Sequence, residues 1–223
     1  MKIKKLISAL VLGSMLVGLS GCNITDFSAE NLLRPPKAVG DEAEIEQLIA
    51  KTADSGYTLK YPKNGKFRSA IIMTDLDGND SNEAVAFFRN SAETSSVHML
   101  VMYSKDNSWE IASDNIFETT DIDSVDFADL TGNGKAEIIV NSTTYTPNVG
   151  KLSCYSYSEG KTNEVGSGQS CSSFVTGDFD NDGTSEIMSL VLYTTENEAL
   201  ASMLDYNEDS KSLYAKAMAN ISI

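Results

Sequence analysis

Three acidic segments of the chain align with one another without gaps. Each follows a β-prone run and precedes another. Their first residues lie 54 and 49 residues apart, which is about the length of one four-stranded unit in a modular β fold. The chain is therefore predicted to be all-β over residues 67–223. The three segments are DLDGNDSNEAV from Asp75, DLTGNGKAEII from Asp129 and DFDNDGTSEIM from Asp178.

Oxygen-bearing side chains recur at alternate positions of each acidic loop, and a glutamate follows at position 9. Calcium takes about six to eight oxygen ligands, and a tightly curled loop can direct positions 1, 3 and 5 at one point. We therefore expect calcium as a structural cofactor. The side chains at positions 1, 3, 5 and 9 are Asp75, Asp77, Asn79 and Glu83 in the first loop, Asp129, Thr131, Asn133 and Glu137 in the second, and Asp178, Asp180, Asp182 and Glu186 in the third.

The three loops differ in their expected affinity. The third carries four carboxylates and is expected to bind most tightly, whereas Thr131 leaves the second with two, so we expect that loop to be the weakest or empty. Gly134 and Gly183 at position 6 permit the positive φ of a sharp turn, and Asp80 takes that place in the first loop. The same spacing also fits ordinary turns in which aspartates accept backbone N–H groups and no metal is present.

The loops begin like an EF-hand but continue differently. An EF-hand carries a bidentate glutamate at position 12 and leads into a helix. Position 12 here is Ala86, Val140 or Ser189, and β-prone residues follow each loop. The pattern therefore disfavours an EF-hand.

At these residues the chain resembles the FG-GAP or VCBS repeats of integrin-type β-propellers and of many bacterial surface proteins. The resemblance covers residues 67–223 and rests on the D-x-D-x-D-G-x-x-[DE] pattern, from which the second loop departs at Thr131. It implies a partial or open propeller-like array of about three four-stranded blades, with calcium held between two strands of each blade. It also implies that the side chains at positions 1, 3, 5 and 9 of each loop are the calcium ligands. Closed propellers use at least about four blades. An arc completed by N-terminal elements, a shortened relative of a longer protein and edge-to-edge pairing of subunits therefore all stay open.

Residues 1–21 are typical of a bacterial export signal. Three lysines precede an apolar run over residues 6–16, which is too short to remain as a membrane-spanning helix. Leu19-Ser20-Gly21-Cys22 resembles the lipobox of bacterial lipoproteins, which implies cleavage before Cys22 and a lipid on its thiol. The alternative is a plain secretory signal with an incidental cysteine. We expect a protein anchored by Cys22 to the extracytoplasmic face of the cell membrane.

Two segments separate the export signal from the repeats. Residues 22–40 are polar, contain a proline pair and are predicted to form a tether. Residues 41–66 are predicted to form a short amphipathic helix and a lead-in to the first repeat. The helix is expected from Asp41 to about Ala53, with Asp41 as its N-cap and Glu44 completing a capping box.

The charge of the chain bears on its partners. Residues 1–21 hold three lysines and no acids, so the remainder has 14 basic and 32 acidic residues and a formal charge of −18. Binding to a phosphate backbone needs clustered lysines and arginines, so nucleic acid is excluded as a partner. Hard cations are the natural counter-charge.

The sequence offers few residues for catalysis. His98 is the only histidine, and a lone strand histidine is more typical of a packed side chain than of a general base. Cys154 and Cys171 are either a disulfide or two free thiols. Trp109 and the tyrosines serve core packing or a sugar-stacking surface. The favoured function is a non-catalytic surface module that binds a protein or a glycan; the alternative is a polysaccharide-degrading enzyme on a propeller-like scaffold.

Overall fold

The computed structural model describes residues 40–54, 56–146, 148–193 and 197–222. The predicted export signal, Cys22 and all of the tether except Gly40 lie outside the described residues. Within the described ranges, no helix combines the length and the apolar character needed to cross a bilayer.

The described residues form one helix followed by thirteen strands. In chain order they are α1 (Asp41–Ala53), β1 (Tyr57–Leu59), β2 (Ile71–Thr74), β3 (Glu83–Asn90), β4 (Val97–Lys105), β5 (Ser108–Phe117), β6 (Ile122–Ala128), β7 (Glu137–Thr143), β8 (Gly150–Ser158), β9 (Lys161–Cys171), β10 (Ser173–Gly177), β11 (Glu186–Tyr193), β12 (Glu198–Asn207) and β13 (Ser212–Ser222).

Helix α1 has the predicted bounds but a different N-cap. Ile45 and Ile49 lie one turn apart and are buried against the first strands. The predicted capping box is wrong, because the N-cap is Gly40 and no side chain caps the helix. The carbonyl of Gly40 accepts the N–H groups of Ala43 and Glu44 instead. Asp41 therefore lies in the first turn, where its charge favours the helix dipole.

The strands form three antiparallel sheets. Sheet 1 contains β1 to β5, sheet 2 contains β6 to β9 and sheet 3 contains β10 to β13, and consecutive strands pair within each four-stranded unit. Sheet 1 has one extra strand, because β1 and β2 share the same edge of β3. The prediction of an all-β fold built from three four-stranded units after a short helix is confirmed.

The core lies between the sheets because alternate side chains of a strand face opposite ways. On β7, Ile138 and Val140 pack in a cluster with residues of sheet 1, whereas Ile139 packs with residues of sheet 3. On β3, Val85 and Phe87 face sheet 2, while the side chain of Phe88 packs in the α1 cluster. Sheets 1 and 2 are thus covered on both faces.

Each acidic loop joins the first and second strands of a four-stranded unit. The loops lie between β2 and β3, between β6 and β7, and between β10 and β11. The glutamates at position 9, Glu83, Glu137 and Glu186, are the first residues of β3, β7 and β11. Strands rather than helices follow the loops, as expected from the mismatch with an EF-hand.

Candidate metal centres in the acidic loops

The first aspartate organises the backbone of its loop. Asp75 Oδ1 accepts the N–H of Gly78 at 2.7 Å, and its Oδ2 accepts the N–H of Asp80 at 2.9 Å. Asp129 makes the same two contacts with Gly132 and Gly134, whereas Asp178 accepts the N–H groups of Asp182 and Gly183. Desolvation works to raise the pKa of Asp75, but hydrogen bonds from the surrounding backbone amides hold that pKa below its ordinary value. These are the contacts expected of a hydrogen-bonded turn without metal. Each carboxylate retains lone pairs for a cation as well.

Two positions of each loop have positive φ. Position 6 does so as predicted, including Asp80 at 64° in the first loop. Position 4 does so too, which the sequence analysis did not anticipate; in the third loop it is Asn181, at 61°. Glycine or asparagine therefore stands at position 4 because these residues tolerate the left-handed conformation.

The glutamate at position 9 is buried in every loop. Glu83 is 3% exposed, and Glu137 and Glu186 are fully buried. In each case Oε2 accepts the N–H of the residue at position 2 at 2.8 Å. The second oxygen of each carboxylate is thereby left for another partner, and the three loops differ in what that partner is.

In the third loop, four carboxylates converge. Asp178, Asp180, Asp182 and Glu186 each offer an oxygen, and these oxygens all lie within 4.8 Å of one another. Glu186 Oε1 is buried and has no hydrogen-bond partner among the described residues. A buried, unpartnered carboxylate oxygen is costly and calls for a specific explanation. A cation is the group that this cluster of oxygens would complement.

In the first loop, three carboxylates converge. Asp75, Asp77 and Glu83 have ligand oxygens within 4.8 Å of one another, and the buried Oδ1 of Asp77 has no hydrogen-bond partner among the described residues. Burial, followed by the charges of Asp77 and Asp75, raises the pKa of Glu83. Asn79 Oδ1 accepts the N–H of Ser81 at 2.7 Å. This loop thus repeats the third with one carboxylate fewer.

In the second loop, Thr131 replaces the aspartate of position 3. Its hydroxyl donates to Glu137 Oε1 at 3.3 Å, which gives that oxygen the partner that Glu186 lacks. Burial is the main cause that raises the pKa of Glu137, to about 7, and the negative charge of Asp129 adds to the rise. The second loop therefore offers a cation only two carboxylates, and the buried Glu137 already has the neutral Thr131 hydroxyl as a partner.

The three loops form a row. The N–H of Ala136 in the second loop donates to the carbonyl of Leu76 in the first at 3.0 Å, and the N–H of Ser185 in the third donates to the carbonyl of Asp129 at 2.8 Å. A side chain at Gly132 would meet Thr184 Cγ2 at 2.6 Å. The second loop is therefore packed directly between the other two.

A lysine that the sequence analysis missed reaches the third loop. Lys216 of β13 bonds to Asp180 and lies 2.8 Å from Asp205 Oδ2 on β12. The hydrogen bond to Asp180, with a smaller contribution from the one to Asp205, raises the pKa of Lys216. Lys216 follows Asp180 by 36 residues. The successive pairing of β11 with β12 and of β12 with β13 brings the two together, so no local sequence signal indicates the contact.

The other chemically notable residues lie away from the loops. His98 is buried on β4, stacks on Phe88 and places Nδ1 2.9 Å from Asp114 Oδ1. Cys154 and Cys171 are buried free thiols rather than a disulfide. Burial raises the pKa of both, that of Cys171 to about 12, so neither thiol is an activated nucleophile.

No protein-family model matches the chain, and a search of curated proteins gives no match either.

Proposed function

We propose that the protein is a lipid-anchored extracytoplasmic binding module whose β units are stabilised by calcium in the first and third acidic loops. The observation that carries the calcium site is the buried Oε1 of Glu186, which has no partner among the described residues and lies within reach of three aspartates. Without a cation, the mutual repulsion of these carboxylates opposes the native loop. Binding a divalent ion removes that opposition and stabilises the adjoining strands.

Calcium fits these loops better than other common metals. Every donor is an oxygen, which disfavours zinc and copper. Magnesium demands near-ideal octahedral geometry and retains waters, whereas calcium accepts irregular cages of carboxylates and carbonyls. The second loop supports the calcium proposal by contrast. It has Thr131 in place of the aspartate at position 3, and the Thr131 hydroxyl donates to Glu137, so no buried carboxylate oxygen of this loop lacks a partner among the described residues.

The proposed architecture is an open, propeller-like array of three blades. Supporting it are the three four-stranded meanders, the position of each acidic loop between the first and second strands of a unit, and the alignment of the loops in a row. These are the features that the resemblance to FG-GAP or VCBS repeats implies. The proposed role is to present the stiffened loops and sheet ends to a protein or glycan at the cell surface.

Thermal melting tests the calcium sites. Full-length protein in mild detergent, first stripped with EDTA, is expected to melt at a higher temperature as calcium rises to millimolar concentrations, with a smaller effect of magnesium. Glu186→Gln should lose most of the rise, while Glu137→Gln, the matched change in the second loop, should retain it. An unchanged melting temperature at millimolar calcium would overturn the calcium proposal.

Metabolic labelling tests the anchor. Expressed in a bacterium with labelled palmitate, the full chain is expected to acquire label and partition with membranes, and Cys22→Ala should abolish both. Cys154 and Cys171 serve as internal controls, because their buried thiols should not be labelled. A wild-type chain that is exported without label would identify residues 1–21 as a plain secretory signal.

A further inference from the structure

One face of sheet 3 is open to solvent. Sheet 1 packs on α1 by one face and on sheet 2 by the other, and sheet 2 packs between sheets 1 and 3. Sheet 3 packs on sheet 2 through Ile187 and Leu204. On its other face Val175 is 58% exposed, Met188 37% and Ile221 42%. This second face, called the open face below, therefore ends the stack of sheets.

The register of sheet 3 shows which side chains share the open face. Residues directly opposite each other in antiparallel strands point to the same side. One row across the sheet consists of Val175, Met188, Met203 and Ala217. The next row runs from Ser173 through Leu190 and Ala201 to Ala219. A third contains Leu192, Ala199 and Ile221.

The open face is apolar where a solvated face is normally polar. In these three rows Ser173 has the one polar side chain, and none of the side chains is charged. A sheet with one face in water usually alternates between apolar residues inside and polar residues outside. An exposed apolar patch of this kind marks an interaction surface.

Met188 occupies a position that lies between sheets in the other two units. It is position 11 of its acidic loop, as Val85 and Ile139 are of theirs. Val85 is fully buried toward sheet 2, and Ile139 is fully buried toward sheet 3. The open face thus corresponds to the face by which sheets 1 and 2 each receive the next sheet.

Helix α1 determines which surface of a second copy can meet the open face. In a head-to-tail contact, the partner surface would be the face of sheet 1 that points away from sheet 2. Ile45 and Ile49 of α1 are already buried on that face, against Ala86 and Phe88. Head-to-tail stacking is therefore blocked. The open face of a second copy is an uncovered match, and a two-fold axis relates two such faces.

The charge of the chain favours contact through this face. The full chain carries a formal charge of −15, so two copies repel each other except where their surfaces are uncharged. At the loop end of sheet 3, Asp180 and Asp205 are paired with Lys216. The open face thus has an apolar centre and a polar rim at that end, which is typical of a protein interface.

The size of the open face is also adequate for a dimer. Four strands about 4.8 Å apart and on average about 28 Å long have a projected area of roughly 500 Å². The relief of the side chains makes the accessible area larger than its projection, toward the ~800 Å² that each partner buries in a stable complex.

We propose that the chain forms a two-fold homodimer in which the open faces of two copies pack on each other. The dimer would be a stack of sheets closed by α1 at both ends, with each sheet covered on both faces. Because a two-fold contact uses the same patch on both copies, assembly stops at two. This interface includes neither the lipid anchor nor the ligands of the acidic loops, so its failure would leave the proposed function untouched.

Sedimentation velocity of the full-length protein in mild detergent tests the dimer. The wild type is expected to change from monomer to dimer as its concentration rises. Val175→Glu should weaken dimerisation at least about tenfold, because each dimer would then bury two unpaired charges. Ile116→Glu adds the same charge to sheet 1 at a residue with the same exposure, 58%, and should leave dimerisation unchanged.

Two neighbouring residues of β13 separate contact through the open face from pairing through the edge of the sheet. Ala219 pairs with Ala201 and lies on the open face, whereas Met218 pairs with Ser202 and lies on the opposite face. Both are exposed. Ala219→Glu should weaken the dimer as Val175→Glu does, and Met218→Glu should not. Edge pairing would respond to these two changes alike.

Thiol cross-linking in intact membranes gives a readout without detergent. Ala201→Cys, near the centre of the open face, is expected to yield a cross-linked dimer with a short bis-maleimide, and Met218→Cys is not. The wild type supplies the background, to which the buried thiols of Cys154 and Cys171 should not contribute.

Calcium-dependent melting of the glutamate variants should match the wild type, which shows that they fold. A wild type that stays monomeric at all concentrations would overturn the dimer. So would dimerisation that is insensitive to Val175→Glu and Ala219→Glu, or an equal loss in Met218→Glu. Cross-linking of Ala201→Cys to a different protein in place of a second copy would overturn it in favour of a heterologous partner.

Discussion

Lys216 Nζ lies 2.8 Å from Asp205 Oδ2 and at the same time bonds to Asp180 of the third acidic loop. The ammonium group therefore competes with any cation that uses Asp180. We expect Lys216→Met to raise the calcium affinity of the third loop about three- to tenfold, since the ion no longer displaces a bound charge. Calorimetric titration of Asp75→Asn protein, in which the first loop is weakened, measures the third loop by itself.

A control separates this local effect from overall charge. Lys51→Met on α1 removes the same charge from an exposed helix position. If it raises calcium affinity as much as Lys216→Met does, the change reflects net charge rather than competition at Asp180.

Thr131 accounts for the expected weakness of the second loop. We expect Thr131→Asp to supply the missing carboxylate and to add one calcium ion to the measured stoichiometry. Without calcium the variant should melt below the wild type, because the new charge lies beside the buried Glu137. Thr131→Asn, which has a similar shape and no charge, should gain no ion. An unchanged stoichiometry in Thr131→Asp would show that position 3 does not decide occupancy.

Glu137 should make stability depend on pH. Its pKa is raised from 4.5 to about 7, so between these values the folded chain binds more protons than the unfolded chain and stability falls as pH rises. In EDTA at pH 8, Glu137→Gln is expected to stabilise the fold by up to about 3 kcal/mol, and this gain should vanish near pH 4. Urea unfolding at both pH values measures it. Glu208→Gln, at an exposed site, should show no such difference, and an equal gain at both pH values would contradict the assignment.

Gly132 tests the packing between the second and third loops. Gly132 and Gly134 have φ of 72° and 79°, but a Cβ would collide with Thr184 only at Gly132 and meets open space at Gly134. We expect Gly134→Ala to cost about 1 kcal/mol for backbone strain and Gly132→Ala about 2–3 kcal/mol. Only Gly132→Ala should also weaken calcium binding by the third loop. Equal losses in the two variants would mean that contact between the loops contributes little.

The parts of the fold that sequence predicts are those that local pattern determines. Ile45 and Ile49 define one face of α1, and the apolar runs of β3, β4 and β7 are buried. Spacing alone also identified the loops. Of the β-prone residues 67–73 that precede the first loop, only those from Ile71 onward belong to β2, because pairing with Ala86 of β3 starts there.

The missed parts depend on long-range pairing. Strand β9 (Lys161–Cys171) is largely polar and has no clean alternation, and it is a strand because β8 pairs with it. Likewise, Asp114 meets His98 only through the pairing of β4 with β5. Gly40 displaces Asp41 as the cap of α1 because its backbone adopts a positive φ. Local propensity does not encode such contacts.

The first aspartate of each acidic loop already fixes the backbone around it through amide hydrogen bonds. Under the proposed calcium binding, an ion therefore meets a backbone that is already ordered, and little chain entropy is lost when it binds. Under the proposed export, the chain can then fold before it meets calcium, and the ion adds its stabilisation after secretion by removing the repulsion between the carboxylates.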